Sequence, residues 1–145
     1  MTSLATIRGL TIRQPWASLI AEGHKRIETR SWSTNHRGLL AIHAAKAFPQ
    51  DAMRFAQEER ALGRLPARIP RGAIIAVARL HSVIGCHEAA WQISGLERHL
   101  GDYGAGRYAW YLEDVMALEE PLPCCGALSL WTLPPDVHRR LAEIL

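Results

Sequence analysis

The segment GHKRIETR, from Gly23 to Arg30, brings a lysine, a glutamate and an arginine close together in the chain. Lys25 and Glu28 are residue types that can hydrolyse an amide: the ammonium polarises a carbonyl oxygen and the carboxylate activates water. A lysine that instead acts as a base must lose its charge, and a carboxylate beside it opposes that loss. The same cation also suits a phosphate group. An ordinary ion pair of Glu28 with Arg30 or Arg26 is the structural alternative, and these residues alone leave the three interpretations open.

Positive charge is concentrated in the first third of the chain. The net charge is +3 at pH 7, but residues 1–46 alone carry +5 and the remainder carries −2. Clustered arginine and lysine side chains, rather than average charge, bind phosphates. The distribution therefore favours an anionic partner, with a solvated basic surface as the alternative. The basic residues of this part are Arg8, Arg13, Lys25, Arg26, Arg30, Arg37 and Lys46.

Aromatic and polar side chains around the segment could hold a nucleobase. Trp16 lies at the expected start of a helix, and an aromatic face accepts any base by stacking. Gln14, just before it, could hydrogen-bond a base edge, although helix capping explains it as well. Trp32 and Tyr108 offer the same stacking chemistry. Trp110, on an alternating strand, is better explained as a core residue.

Two further residues have strong structural alternatives. His43 lies in an apolar strand, where a histidine is more often a hydrogen-bonded core residue than a catalyst. Arg37 precedes Gly38 and could contact a phosphate or merely keep a turn soluble. The segment GDYGAGR resembles a phosphate-binding loop but lacks its GK[ST] ending and precedes a strand, so we interpret its glycines as tight turns.

The cysteines do not form a metal-binding pattern. Cys86, Cys124 and Cys125 lack CxxC spacing, and two adjacent cysteines are poorly suited to one tetrahedral ion even with His87 nearby. Their odd number also argues against a disulfide framework. We therefore expect reduced, mostly buried thiols, no metal and no cofactor.

The elements that position the charged motif follow from the hydrophobic pattern. Apolar residues recur at helical spacing over Pro15–Glu22, which predicts a two-turn helix with the following glycine as its left-handed cap. The period then changes to two, so Ile27–Trp32 is predicted as a strand with Glu28 and Arg30 on one polar face. Lys25 must reach that face from the turn between the helix and the strand.

The rest of the chain predicts a mixed fold. Because strands and helices do not alternate regularly, we expect an α+β fold: a small mixed β-barrel with short helices packed around it and Arg107 at its mouth. Met53 and Ala56 are expected to face inward from the second helix. The further strands are expected at Arg37–Ala45, which is central, at Gly72–Val83, from Arg107 onward and at Gly126–Leu133. The further helices are expected at Gln50–Leu62, less regularly over Cys86–Gly101, and at Pro134–Leu145.

Length and composition fit one domain. A chain of 145 residues with 48% hydrophobic residues can fill a single core. Its longest apolar run, AIIAVA, is too short to cross a membrane, and MTSLATIRG has no apolar signal core. We expect one domain over residues 1–145, in the cytoplasm, with no membrane partner. The sequence indicates no oligomeric state.

Six segments of the chain, in order, resemble the ASCH domain family. They are RQPWASLI, GHKRIETRSW, HRGLLAIHAA, RGAIIAVARL, GDYGAGRYAW and GALSLW, and the resemblance extends over residues 10–133. The most diagnostic element of the family, G-x-K-x-x-E-x-R, is matched position for position by Gly23, Lys25, Glu28 and Arg30. The resemblance implies a PUA-like β-barrel with a cleft for nucleic acid or a nucleotide-like ligand. The family's link to coactivators implies a protein-interaction module as another alternative.

One branch of small ASCH proteins hydrolyses the amide of acetylated cytidine nucleosides. It uses a lysine, a threonine three residues later and a glutamate from elsewhere in the chain. Lys25 matches the lysine, but Glu28 occupies the threonine position, and Glu88 is offered for the second glutamate without a motif to support it. Metal-independent amide hydrolysis by Lys25 and Glu28 is therefore the alternative to binding of RNA, another nucleic acid or a nucleoside-like small molecule. The expected ligand-binding residues are Gln14, Trp16, Gly23, Lys25, Glu28, Arg30 and Arg37.

Overall fold

A computed structural model describes residues 6–145 and consists of six strands with short helices around them. The strands are β1 (Arg8–Ile12), β2 (Ile27–Arg30), β3 (Gly38–Ala44), β4 (Ala73–Gly85), β5 (Tyr108–Pro123) and β6 (Leu130–Thr132). The helices are α1 (Trp16–Ala21), α2 (Gln50–Ala61), α3 (Cys86–Ala89), α4 (Gly95–His99) and α5 (Pro135–Ile144), and a 3₁₀ turn spans Ala90–Gln92.

The strands form one curled sheet, a half-barrel, in the order β2-β5-β4-β3-β1-β6. β1 and β3 are parallel, and the other paired strands are antiparallel. This arrangement confirms the α+β fold with a mixed, barrel-like sheet. β3 lies between two other strands, as its two apolar faces predict.

Each face of the sheet carries part of the hydrophobic core. On one face, Ile20 of α1 packs into a cluster with Leu10 and Trp110. On the other face, Leu141 of α5 packs into a cluster with Trp131. β4 contributes buried residues to both clusters, which explains why its sequence is an almost continuous apolar run rather than an alternating one.

The predicted inward face of α2 is wrong in one residue. Met53 is 42% exposed, whereas Ala52, Ala56 and Glu59 are buried. Ala52 and Met53 both lie at helical spacing from Ala56, so apolar periodicity does not distinguish the two faces. The helix turns Glu59 inward because its carboxylate accepts hydrogen bonds there from the side chains of Arg64 and His99.

The last strand is shorter than predicted and leaves part of β1 without a second neighbour. β6 covers only Leu130–Thr132, and it pairs with Arg8, Gly9 and Leu10 of β1. Beyond Leu10, β1 pairs with β3 alone. The sheet is therefore open beside the end of β1, and the edge strand β2 faces that opening.

The cysteines only partly follow the expectation of buried thiols. All are free: Cys86 is buried, Cys124 is half-buried and Cys125 is exposed. Within residues 6–145, no group of three or more His, Cys, Asp or Glu side chains is arranged to hold a metal ion. No helix in the same part of the chain has the length and apolar character needed to cross a membrane.

Candidate functional site

A cleft of about 570 Å³ lies where β2 faces the end of β1. Its volume is within the range of ordinary small-molecule sites. Another part of the wall is formed by residues 99–102, which are the last residue of α4 and the three that follow it. The charged and aromatic side chains of the lining are Arg13, Trp16, Lys25, Glu28, Arg30, Trp32, His99, Asp102 and Arg107.

Lys25 is buried in the wall of this cleft, with a side chain only 1% exposed. Gly23, with φ of +85°, allows the sharp turn that directs the chain from α1 toward it. The Lys25 Nζ donates to the carbonyl oxygens of Ile27 and Leu100 and lies 3.7 Å from the Glu28 Oε1. An ammonium has three hydrogens, and here three protein acceptors surround it. Lys25 thus ties the turn, β2 and the end of α4 together.

Burial lowers the pKa of Lys25 below its usual value. The carboxylates of Glu28 and Glu97 act in the opposite direction, because they stabilise the charged ammonium. The sequence argument named Glu28 correctly as a partner that favours the cation. The sequence argument could not include burial, which lowers the pKa of Lys25 by more than the two carboxylates raise it.

Arg30 connects the two sides of the opening. Its Nε and Nη2 both lie 3.1 Å from the Glu28 Oε2, and Nη2 also donates to the Thr11 carbonyl oxygen at 2.6 Å. Each carboxylate oxygen of Glu28 therefore faces one cation, Lys25 or Arg30. The two-residue spacing predicted that Glu28 and Arg30 share a face, and both line the cleft. The bond from Arg30 to Thr11 crosses from β2 to β1 where no backbone pairing joins them.

A second buried carboxylate, Glu97 of α4, supports the turn before β2. Its Oε1 accepts a hydrogen bond from the Arg26 backbone N–H. Burial raises the pKa of Glu97, and the hydrogen bond from Arg26 and the charge of Lys25 oppose that rise. Sequence reasoning missed this residue. The signal was the capping pattern S-x-x-E: the Ser94 hydroxyl accepts from the Glu97 N–H at 3.1 Å and starts α4.

Arg107 lies in the wall of the cleft, in agreement with its predicted position at the mouth of the barrel. Its Nη2 donates to the Thr29 carbonyl oxygen at 3.1 Å, and its Nε donates to the Asp102 carbonyl oxygen at 2.9 Å. The Asp102 N–H in turn donates to the Thr29 hydroxyl at 3.2 Å. These contacts fix the segment after α4 against β2 and hold a guanidinium at the cleft.

Aromatic rings form one border of the cleft. Trp16 is stacked on Phe55 of α2, with ring centroids 5.2 Å apart and planes at 20°. The Arg13 guanidinium lies over the Trp16 ring, 5.7 Å from its centroid. The His99 ring lies against Phe55, with ring centroids 5.3 Å apart. Trp32 also lines the cleft and meets the buried ring of Trp110 edge to face.

Gln14 and Gly23 lie near the cleft but are not among its lining residues. Gln14 is fully buried, and its amide nitrogen donates to the Ser18 hydroxyl at 2.7 Å and to the Pro70 carbonyl oxygen at 2.6 Å. It fixes the start of α1, since its Oε1 also accepts from the Ser18 N–H. Gly23 borders a smaller neighbouring cavity of about 320 Å³, together with Lys25.

Other residues considered from the sequence lie elsewhere. Arg37 is held by the carbonyl oxygens of Thr34 and His36 in an exposed turn. Glu88 is exposed on α3. Trp110 is fully buried, as expected for a core residue. None of Arg37, Glu88 and Trp110 is part of the described lining of the cleft.

His43 is a hydrogen-bonded core residue. The Cys124 carbonyl oxygen can only accept, so the His43 Nε2, 2.8 Å away, donates to it. The Nδ1 then accepts from the Thr11 hydroxyl at 3.2 Å, and that hydroxyl oxygen accepts from the Trp131 Nε1 at 3.2 Å. The side chain and the backbone carbonyl of Thr11 therefore serve two different groups of residues, His43 on one side and Arg30 on the other.

The sequence of this chain matches one protein family. A model of the ASCH domain matches residues 10–122. Activating signal cointegrator 1 from Homo sapiens is 26% identical over 136 residues, which are 90% of this chain and 23% of the relative, and the Mus musculus protein of the same name matches with the same identity and coverage. The chain thus spans about a quarter of the length of these relatives.

Solved structures agree with the fold. ASCH from Zymomonas mobilis superposes with a TM-score of 0.63 at 16% identity, covering 96% of this chain and 95% of that one. A point variant of the same protein gives a TM-score of 0.61 at 14% identity, covering 96% of each chain. At such low identity the likeness concerns the fold. The family model covers most of the chain, includes the G-x-K-x-x-E-x-R segment and ends within β5; the chain belongs to the ASCH domain family.

Proposed function

We propose that this ASCH domain binds RNA or another nucleic acid, or a single nucleotide, in the cleft built around the G-x-K-x-x-E-x-R segment. The observation that carries the proposal is the combination of Arg13, Arg30 and Arg107 with the indole rings of Trp16 and Trp32 around one cavity. Guanidinium groups bind phosphates and aromatic faces bind bases, which are the two parts that every nucleotide offers.

The residues of the motif have different tasks in this proposal. Arg30 and Arg107 are anchored through some of their N–H groups and keep others for a phosphate, since a guanidinium has five. Lys25 is occupied by protein acceptors, so it supplies charge and holds the wall in place. Glu28 orients Arg30 and keeps the buried ammonium compensated.

Hydrolysis of an acylated cytidine is the second candidate, and the lowered pKa of Lys25 in the cleft wall favours it. A lysine that is readily deprotonated can serve as a base or nucleophile. Against it, the ammonium is directed to Ile27, Leu100 and Glu28 rather than into the cavity, and both Glu28 oxygens face cations. Binding therefore has the stronger support.

Three other expectations remain predictions. A role as a protein-interaction module in a coactivator-like assembly rests on the likeness to Activating signal cointegrator 1 alone. One domain over residues 1–145 and a location in the cytoplasm are inferred from the sequence.

The test is the affinity for a fluorescent RNA oligonucleotide, measured by anisotropy over a series of KCl concentrations. We expect the logarithm of the association constant to fall linearly with the logarithm of the salt concentration. Arg107→Ala and Arg13→Ala should each weaken binding and reduce that slope by about one for each lost phosphate contact. Arg54→Ala is the matched control, because Arg54 is exposed on α2 and outside the lining of the cleft.

Two results would contradict the proposal. One is an affinity that does not change with salt, and the other is an equal loss of affinity in the Arg54 control. The same preparations, incubated with acetylated cytidine free and within RNA, test the second candidate. Turnover by the unaltered protein that disappears in Lys25→Met while that variant stays folded would establish hydrolysis.

A further inference from the structure

Beside the cleft, a buried carboxylate pairs with a half-exposed imidazole. Glu59 of α2 has a side chain only 1% exposed, and its Oε2 lies 3.0 Å from the His99 Nε2. Its Oε1 accepts from the Arg64 Nε at 2.8 Å. His99 itself is half-exposed, lines the cleft and lies against Phe55. The two residues are 40 positions apart, and the packing of α4 against α2 brings them together.

The pair determines which ring nitrogen of His99 carries hydrogen. Burial raises the pKa of Glu59, but hydrogen bonds from Arg64 and His99 outweigh burial, so the pKa lies below its usual value. Glu59 is therefore an ionised carboxylate at neutral pH, and a carboxylate can only accept. The His99 Nε2 must then be the donor. In the neutral ring, Nδ1 is left as a hydrogen-bond acceptor.

This acceptor is unusual among the groups that line the cleft. The carboxylate of Glu28 faces Lys25 and Arg30. Asp102 accepts from the Gly104 N–H and faces Arg107. The arginines and indoles are donors. Each carboxylate oxygen of the described lining faces a cation or accepts from a backbone N–H, whereas none of the described hydrogen bonds or ion pairs involves the His99 Nδ1. The cleft thus offers several donors for phosphate and, at His99, an acceptor whose orientation is fixed by Glu59.

A ribonucleotide supplies the group that fits this combination. Its 2′-hydroxyl lies on the carbon next to the one that bears the 3′-phosphate, and a 2′-deoxyribonucleotide lacks it. An acceptor in the same wall as Arg107 can bind the hydroxyl while the guanidinium binds the phosphate. Exocyclic amines are the other donors of a nucleotide, but they differ from base to base.

We propose that His99, held in orientation by Glu59, accepts a hydrogen bond from the ribose 2′-hydroxyl and makes the cleft selective for ribonucleotides. This inference rests on the proposed function and names the substrate class of the same site. His99 is the residue that contacts the ligand, and Glu59 is a positioning residue.

The test compares a ribo- and a deoxyribo-oligonucleotide of one sequence, both containing uracil, at pH 8. The readout is the ratio of the two dissociation constants, which does not depend on how much protein is folded. The unaltered protein should prefer the ribo-strand about three- to tenfold, the value of one hydrogen bond between neutral groups. His99→Phe keeps a ring against Phe55, and it should bring the ratio close to one. His81→Phe, at an exposed site outside the cleft, should keep the preference.

The positioning role of Glu59 has its own readout. Imidazole ¹⁵N chemical shifts of His99 should show hydrogen on Nε2 and none on Nδ1. Glu59→Gln should reduce this tautomer's population, because an amide can donate as well as accept, and should reduce the ribose preference with it.

Each outcome separates the inference from the proposed function. Binding of both strands with equal affinity would overturn the inference and leave the proposed function intact. The same holds if His99→Phe retains the preference, if hydrogen is found on Nδ1, or if the preference follows base identity. Absence of binding to either strand would overturn the proposed function and, with it, this inference.

Discussion

Two buried polar networks meet at Thr11, and only one of them opens to a cavity. The core network joins the Trp131 Nε1, the Thr11 hydroxyl, His43 and the Cys124 carbonyl oxygen, and in it each donor has one acceptor. The cleft network joins Lys25, Glu28, Arg30 and the Thr11 carbonyl oxygen. Its side chains carry charge, and Arg30, which lines the cleft, has N–H groups beyond those bonded to Glu28 and Thr11.

The comparison shows which buried polar groups indicate a site. Both networks satisfy buried groups, as interiors generally require, and each contains a residue that the sequence singled out as a candidate: His43 in one and Lys25 in the other. Burial of a titratable residue therefore does not by itself identify function. A better indication of function is a side chain that keeps unused hydrogen-bonding groups beside a cavity. Among the residues of the two networks, only Arg30 has such groups.

The largest effect is expected from removing the ammonium of the cleft network. Lys25→Met should lower the free energy of unfolding by about 3–5 kcal/mol, because it leaves the buried Glu28 with one partner fewer. Urea unfolding measures the change. Lys46→Met is the control, since Lys46 is exposed, and it should change stability by no more than about 0.5 kcal/mol. A loss in Lys25→Met as small as that control would show that the cleft network does not stabilise the fold.

The next effect concerns the packing beside the core network. A methyl group at Gly9 would lie 2.4 Å from the Trp131 ring, which also donates to Thr11. Gly9→Ala should cost about 2–3 kcal/mol, the upper part of the range for overpacking, because the ring cannot move without losing that bond. Thermal unfolding measures the cost. An unchanged or raised Tm would mean that the ring shifts freely.

A substitution at Thr11 separates the two networks. Thr11→Val removes the hydroxyl that serves His43 and Trp131 but keeps the carbonyl that receives Arg30. Stability should fall by about 1–2 kcal/mol, because buried polar groups lose their partners. The affinity for RNA should not change. If the affinity falls with stability, the two networks are not independent, and the distinction drawn between them is wrong.

The smallest effect is a pH dependence that comes from Lys25. Because burial lowers its pKa in the folded state, the unfolded chain binds more protons between that lowered value and the ordinary value of 10.5. Stability then rises with pH over this window. The stability deficit of Lys25→Met, measured by urea unfolding in steps from pH 7 to about pH 10, should therefore grow with pH. Tyrosines and cysteines that titrate in the same window affect both proteins and cancel in the difference. A deficit that shrinks as pH rises would mean that the ion pair, and not burial, dominates the pKa.

The sequence predicts those parts of the site that depend on local geometry. Glu28 and Arg30 share a face because residues two apart in a strand do so, and Gly23 ends the helix because its φ is positive. The order of apolar segments likewise predicts the mixed α+β fold. For Gln14 the sequence leaves a base contact and helix capping open, and its bond with the Ser18 N–H agrees with the second. Its contact with Pro70 depends on where a distant loop lies.

The parts that the sequence does not predict depend on which elements meet. Glu59 and His99 are joined only when α4 packs on α2, and no spacing in the chain indicates it. The inward position of Glu59 also explains the wrong placement of Met53, because a hydrophobicity pattern does not turn a carboxylate toward the interior. The acceptor that Arg30 finds on Thr11 is a backbone atom, which no residue type reveals.

The hydrogen bond between Arg30 and Thr11 joins the two strands that face each other across the opening of the half-barrel. Elsewhere in the sheet, backbone ladders keep neighbouring strands at about 4.8 Å, so their separation cannot change without losing several hydrogen bonds together. Between β2 and β1 the gap is crossed by a flexible side chain. The bond from Arg30 to Thr11 can therefore be lost without the loss of any backbone hydrogen bond of the sheet.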